Sequence, residues 1–182
     1  MRDGDGPVYV AMRFAGGDDA PVIPLPDGYT WQLWQPRGLR FIAPGMSWLL
    51  GILYWVAGCV LARGVPGYGV VVLRYLGATV HRSIALPRFF RHRFLGERDV
   101  MVGGTWTHPD HRGRGLASFA LCAAVRGMAA PGRRFWYVAH EENTASIRVA
   151  ERCGFRLAGR CMRTRRLGLR LLGEFVEANM EG

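Results

Sequence analysis

Residues 108–117 of this 182-residue chain, His108-Pro-Asp-His-Arg-Gly-Arg-Gly-Leu-Ala117, place two arginines and two glycines just ahead of an apolar run. These residue types at this spacing suit a phosphate. Glycine lets the backbone approach without a Cβ in the way. The first N–H groups of a helix have no intrahelical partner, and the helix dipole favours an anion there. Arg112 and Arg114 can add charge-assisted hydrogen bonds. Such a loop needs a strand before it and a helix after it. Val100–Thr107 is β-rich, and residues 116–128 read as a helix.

Three phosphate loops share these ingredients. A Walker A loop requires a lysine, and the chain contains none. A dinucleotide loop puts its first glycine directly after the strand. Here His108 to Arg112 intervene, and Ser118 stands where the third glycine belongs. The third is the coenzyme A loop, Arg/Gln-x-x-Gly-x-Gly/Ala, which Arg112, Gly115 and Ala117 match in register. A second motif follows at a suitable distance. Phe135–His140 reads as a strand, and Asn143-x-x-Ser146 opens a helical stretch that stops at Gly154-Phe155. Asn143 suits an N-cap and Gly154 a C′ stop. With both motifs in order, residues 29–165 resemble the GNAT N-acetyltransferase family.

The resemblance implies acyl transfer from acetyl-CoA, or another acyl-CoA, to a primary amine by direct attack on the thioester. Acyl-CoA is the co-substrate, and no metal is implied. Backbone groups of Thr105, Trp106 and Thr107 would pair with the pantetheine arm. Arg112, Gly113, Arg114, Gly115, Leu116 and Ala117 would hold the diphosphate. Asn143 would contact the pantetheine, with Ser146 nearby. The glutamate and tyrosine common in the family fall on Val138 and Ala150, and neither can move a proton. His140, at the end of its strand, is the local substitute, and His81 is the second candidate for a catalytic role. Glu97 and Asp99 are weaker ones. His108 and His111 read as loop polars or phosphate neighbours, and a water chain stays open as the proton path.

Positioning these groups needs an α/β fold. Tyr29–Trp34, residues 69–76, 79–86 and 156–164, with the two strands above, give a mixed, mainly antiparallel sheet flanked by helices. Residues 69–86 form a hairpin, and 167–176 are undecided between strand and helix. The resemblance implies a splay between the strands Val100–Thr107 and Phe135–His140, the fourth and fifth of the family, where coenzyme A enters. Residues 1–27, rich in Gly, Asp and Pro, read as a loose arm with one extra strand at Val8–Phe14. Residues 28–182 make the acyltransferase domain.

Composition bounds the rest. Hydrophobic residues make up 49% of the chain, which excludes disorder for most of it. Four cysteines, Cys59, Cys122, Cys153 and Cys161, show no zinc or disulfide spacing and read as reduced thiols of a cytoplasmic protein. No signal-peptide core is visible in residues 1–28. The net charge is +10, carried by arginine alone, and Arg156, Arg160, Arg163, Arg165, Arg166 and Arg170 cluster. Nucleic acid is disfavoured as a partner, because no recognised module or aromatic-interleaved basic repeat is present.

Residues 46–62 carry no charge. As a helix they would be about 25 Å long, short of a bilayer core of about 30 Å. They read either as a core helix or as a contact with the inner face of the membrane or a lipid-linked substrate. Val80-His-Arg-Ser83, Leu86-Pro-Arg-Phe89 and the strand from Asp99 to Thr107 resemble a subgroup found among polysaccharide and lipopolysaccharide biosynthesis proteins. That resemblance implies an amino-sugar acceptor, small or lipid-linked. The alternative function is a coenzyme A-binding sensor or membrane-associated module without turnover. Homodimerisation stays open.

Overall fold

Short stretches rich in branched and aromatic residues become strands here, because such side chains fill a pleated, half-buried surface. A computed structural model describes residues 8–15, 20–36, 42–43, 48–49, 52, 68–88, 92, 94–164 and 175–180. Its strands are β1 (Val8–Phe14), β2 (Tyr29–Trp34), β3 (Gly69–Tyr75), β4 (Ala78–Pro87), β5 (Val100–Thr107), β6 (Phe135–His140), β7 (Phe155–Arg163) and β8 (Phe175–Met180). Among the described residues the helices α1 (Leu116–Gly127) and α2 (Thr144–Arg152) flank them, with a 3-10 turn at Pro109–His111.

The strands form one sheet in the order β2-β3-β4-β5-β6-β1-β7-β8. β5 and β6 run parallel; the other neighbours are antiparallel. The expected mixed, mainly antiparallel sheet is therefore present. The expected hairpin is β3–β4, turning through Leu76 and Gly77, both at positive φ as a tight two-residue turn requires.

α1 has almost no polar face. Leu116 and every residue from Ser118 to Val125 are buried. A helix apolar on all sides must be covered on all sides. α1 packs with α2 and one face of the sheet into a core that includes Val71, Leu73, Val100, Val102, Tyr137 and Phe155. A second core, with Trp34, Val70, Val72, Ile84, Met101 and Trp136, covers the other face. Cys122, Cys153 and Cys161 are buried.

The N-terminal arm differs from expectation. Its strand is not an appendage: β1 pairs with β6 on one edge and β7 on the other. Val10 and Met12 enter the helix-side core and Ala11 the opposite one. A strand bonded on both edges and covered on both faces needs a continuous apolar run, which Val8-Tyr-Val-Ala-Met12 supplies. The surrounding Gly, Asp and Pro mask that signal. Residues 167–174 lie outside the described residues, and the strand that follows begins at Phe175.

Of the apolar segment 46–62, only Trp48, Leu49 and Ile52 belong to the described residues, and all three are exposed. Whether the segment forms a core helix lies outside them. Among the described residues no helix is long and apolar enough to cross a membrane. Of the arginine cluster, Arg165, Arg166 and Arg170 also lie outside. Arg156 and Arg160 are exposed on β7, and Arg160 pairs with Glu141 at 2.9 Å.

Candidate functional site

β5 and β6 pair only through Val100–Phe135, Met101–Trp136 and Val102–Tyr137. Beyond Val102 the β5 main chain has no partner on that edge within the ladder, which is the splay anticipated between these strands. Polar backbone facing a gap calls for a partner. A cavity of about 450 Å³ opens there, lined by Thr105, Trp106 and Thr107 of β5, Arg112 and Ala117 of the loop and α1, Tyr137 of β6, and Asn143, Ala145, Ser146 and Val149 at the start of α2.

The loop after β5 borders this opening at Arg112 and Ala117, with two glycines between them. Gly113 and Gly115 have φ of 74° and 76°, and a Cβ at either would meet nothing within 4 Å. Both therefore need glycine for conformation, and both leave the space in front of them clear. Gly115 is the N-cap of α1 and has no side chain to bond the first turn. The first helical bond runs from the Phe119 N–H to the Gly115 carbonyl. The N–H groups before it are left for a ligand.

The loop's side chains divide the work. Arg112 lines the cavity and donates from Nε to the Thr107 carbonyl at 3.3 Å. Arg114 turns the other way: it donates to the Tyr29 hydroxyl at 3.2 Å and the Asp110 carbonyl at 3.3 Å. The Tyr29 hydroxyl also bonds His111 Nδ1 at 2.7 Å, and the His111 ring packs on Tyr75. Thus β2 and β3 clamp the loop, and Arg114 and His111 hold its shape. The Leu116 side chain is buried in the core, so Leu116 offers a ligand only its N–H. His108 stands aside, bonded to the Asp110 N–H at 3.4 Å.

The α2 end behaves as the sequence motif implies. Asn143 Oδ1 accepts from the Ser146 N–H at 3.0 Å as an N-cap, and Asn143 lines the cavity. Gly154, at φ 84°, ends the helix.

The candidate bases end up in different places. His140 is not among the residues lining the cavity. Its Nδ1 accepts from the Glu142 N–H at 3.3 Å, and its ring packs edge-on against Tyr9. It caps the turn into α2. Asp99 sits at the far end of β5, with Gly96 N–H, Arg134 and Trp136 Nε1 all donating to its carboxylate, so it fastens the strand start. Glu97 is exposed in the turn before it. Val138 is half-buried, and Ala150 is fully buried.

His81 is fully buried and is not among the residues lining the cavity. Its Nδ1 lies 2.7 Å from Thr107 Oγ1 and its Nε2 3.0 Å from Ser83 Oγ, which in turn lies 3.2 Å from Thr105 Oγ1. Burial pushes its pKa down to about 4, so the ring is neutral at neutral pH. Ser83 and Tyr137 are the functional neighbours that sequence reasoning passed over. Tyr137 belongs to the helix-side core and also lines the cavity, and nothing local in the sequence marks either residue. Among the described residues no three His, Cys, Asp or Glu side chains converge as a metal site would need.

Comparison with known proteins agrees with this geometry. The family model for the GNAT acetyltransferase domain matches residues 44–156. No curated protein matches the chain. Among solved structures, a GNAT-family protein from Novosphingobium aromaticivorans superposes with a TM-score of 0.52 at 21% identity, over 87% of this chain and 63% of that one. An acetyltransferase from the GNAT family of Colwellia psychrerythraea gives 0.53 at 14%, over 84% and 53%. AAC(6')-Iy, in complex with the bisubstrate analog CoA-S-monomethyl-acetylneamine, gives 0.52 at 18%, over 75% and 98%. The chain thus spans between about half and two thirds of the first two proteins, and at these identities the likeness is one of fold. The family match covers more than half of the sequence, and with the splayed strands and glycine-lined helix mouth it shows that this chain belongs to the GNAT acetyltransferase family.

Proposed function

We propose that this protein transfers an acyl group, acetyl from acetyl-CoA first of all, to a primary amine by direct attack on the thioester. The observation that carries the reading is the mouth of α1. There an uncapped helix start and two open glycines at positive φ stand between Arg112 and Ala117, which both line the cavity. A diphosphate suits that mouth. The unpaired β5 edge from Thr105 to Thr107 suits an extended, amide-bearing pantetheine arm, with Asn143 donating from the other wall. One N–H of that edge would polarise the thioester carbonyl.

The acceptor we favour is an amino sugar of a surface-polysaccharide precursor, small or lipid-linked. Its support is the resemblance carried by Val80 to Ser83, Leu86 to Phe89 and the β5 sequence. The exposed Trp48 and Leu49 support a peripheral contact at the inner face of the membrane by a cytoplasmic protein. A second reading, a coenzyme A sensor without turnover, is favoured by the cavity lining, which includes no carboxylate and no histidine.

Calorimetric titration with acetyl-CoA tests the donor site. Thiol release with glucosamine, spermidine and glycinamide then separates the readings. Binding with release for one amine supports the transferase. Binding without release for any of them supports the sensor.

A further inference from the structure

We propose that Thr105, Ser83, His81 and Thr107 form a proton relay that carries the attacking amine's proton to the departing thiolate. This rests on the acyltransferase reading above. Thr105 and Thr107 line the cavity, while His81 and Ser83 lie behind them, at 0% and 1% exposure. The hydrogen-bond path runs Thr105 Oγ1, Ser83 Oγ at 3.2 Å, His81 Nε2 at 3.0 Å, then His81 Nδ1 to Thr107 Oγ1 at 2.7 Å. It leaves the cavity at one threonine and returns to it at the other. Residues two apart on a strand share a face, so each strand contributes one adjacent pair, Thr105 with Thr107 and Ser83 with His81.

Every member of this chain both donates and accepts. A hydroxyl does so by nature, and a neutral imidazole does so through its two nitrogens. Burial keeps His81 neutral, which makes it a poor store for a proton but a suitable conduit. No charge has to be buried at any stage. The same bonds also tie β4 to β5 beside the register shift between Arg82 and Ile84. A steadying role explains why His81 and Ser83 are satisfied. It does not require both ends to be hydroxyls opening on one cavity.

The step balances. The amine nitrogen forms its bond to the acyl carbon as the carbon–sulfur bond breaks. The proton from nitrogen goes to Thr105 Oγ1, whose own proton passes to Ser83 Oγ. The Ser83 proton goes to His81 Nε2, and the Nδ1 proton leaves for Thr107 Oγ1. The Thr107 proton completes the free thiol. The products are an amide and coenzyme A, and His81 has exchanged one tautomer for the other.

The test uses acetyl-CoA with the fastest amine of the panel, in wild type, Thr105→Val, Thr105→Ser and His81→Gln. Thr105 is exposed, so its variants keep the fold even if His81→Gln does not. Thr105→Val should lower kcat about tenfold or more while acetyl-CoA affinity stays within about twofold. Thr105→Ser should restore most of the rate. In mixed H2O and D2O the wild-type rate should fall along a curve, as several protons move together, and the Thr105→Val rate along a line. Equal kcat and equal solvent curves in wild type and Thr105→Val would overturn the relay alone. Acetyl-CoA bound by wild type without turnover of any amine would overturn the relay and the transferase reading together.

Discussion

The loop at residues 108–117 and the chain of groups from Thr105 to Thr107 meet at the same end of β5, yet they are made by opposite means. The loop works through main chain. Its glycines are open, its helix mouth is uncapped, and Tyr29 clamps it from outside. The chain works through side chains brought together from two strands, and its middle members are fully buried. They are joined where Arg112 Nε donates to the Thr107 carbonyl. The difference separates two tasks. Holding a polyanion needs many weak donors exposed at once. Moving a proton without creating charge needs few groups, each satisfied and shielded from water.

The sharpest way to break the loop side is Gly115→Glu. It puts a carboxylate and a strained side chain at the helix mouth, and acetyl-CoA affinity should fall by about a hundredfold or more. Calorimetry reads this directly, and thermal denaturation shows whether the fold persists.

On the buried side the probe is pH. His81 titrates near 4 when folded and near 6.5 when unfolded. Between those values the unfolded chain holds more protons, so stability is lost as pH falls from about 6.5 to about 4. The loss is on the order of 3 kcal/mol. Urea titrations at several pH values should show His81→Gln flattening that slope relative to wild type. An unchanged slope would place the imidazole in contact with water.

Asn143→Ala removes both a helix cap and a cavity-lining amide. Losing the cap should cost about 1 kcal/mol of stability. Losing the amide donors should weaken acetyl-CoA binding about fivefold. The smallest effect belongs to His140→Ala. Its ring caps a turn outside the cavity, so turnover should stay within about twofold and the pH–rate profile should not move. A changed profile would return His140 to the chemistry and sharpen the contrast in its favour.

What could be read from sequence follows the same division. Arg112, Gly115, Ala117, Asn143 and Gly154 lie in local motifs whose backbone geometry follows from a few adjacent residues, and the structure gives each the expected conformation or place. The bounds of β5 and β6 coincide with their apolar and aromatic runs. His81 and Ser83 share a face of β4 by alternation, but their partners Thr107 and Thr105 come from another strand, and no local pattern names them. β1 was visible as a strand, but its place between β6 and β7 depends on contacts more than a hundred residues away in sequence. Asp99 is a weak catalytic candidate by sequence, and its partners Arg134 and Trp136 lie more than thirty residues away.

The central claim is that main-chain amides at the mouth of α1 grip the diphosphate of coenzyme A. Amide NMR of the 15N-labelled protein titrated with coenzyme A tests it most directly. The account predicts that the largest downfield shifts fall on Gly113, Gly115, Leu116 and Ala117, and that desphospho pantetheine fails to produce them. Saturating coenzyme A with these four signals unmoved would contradict it.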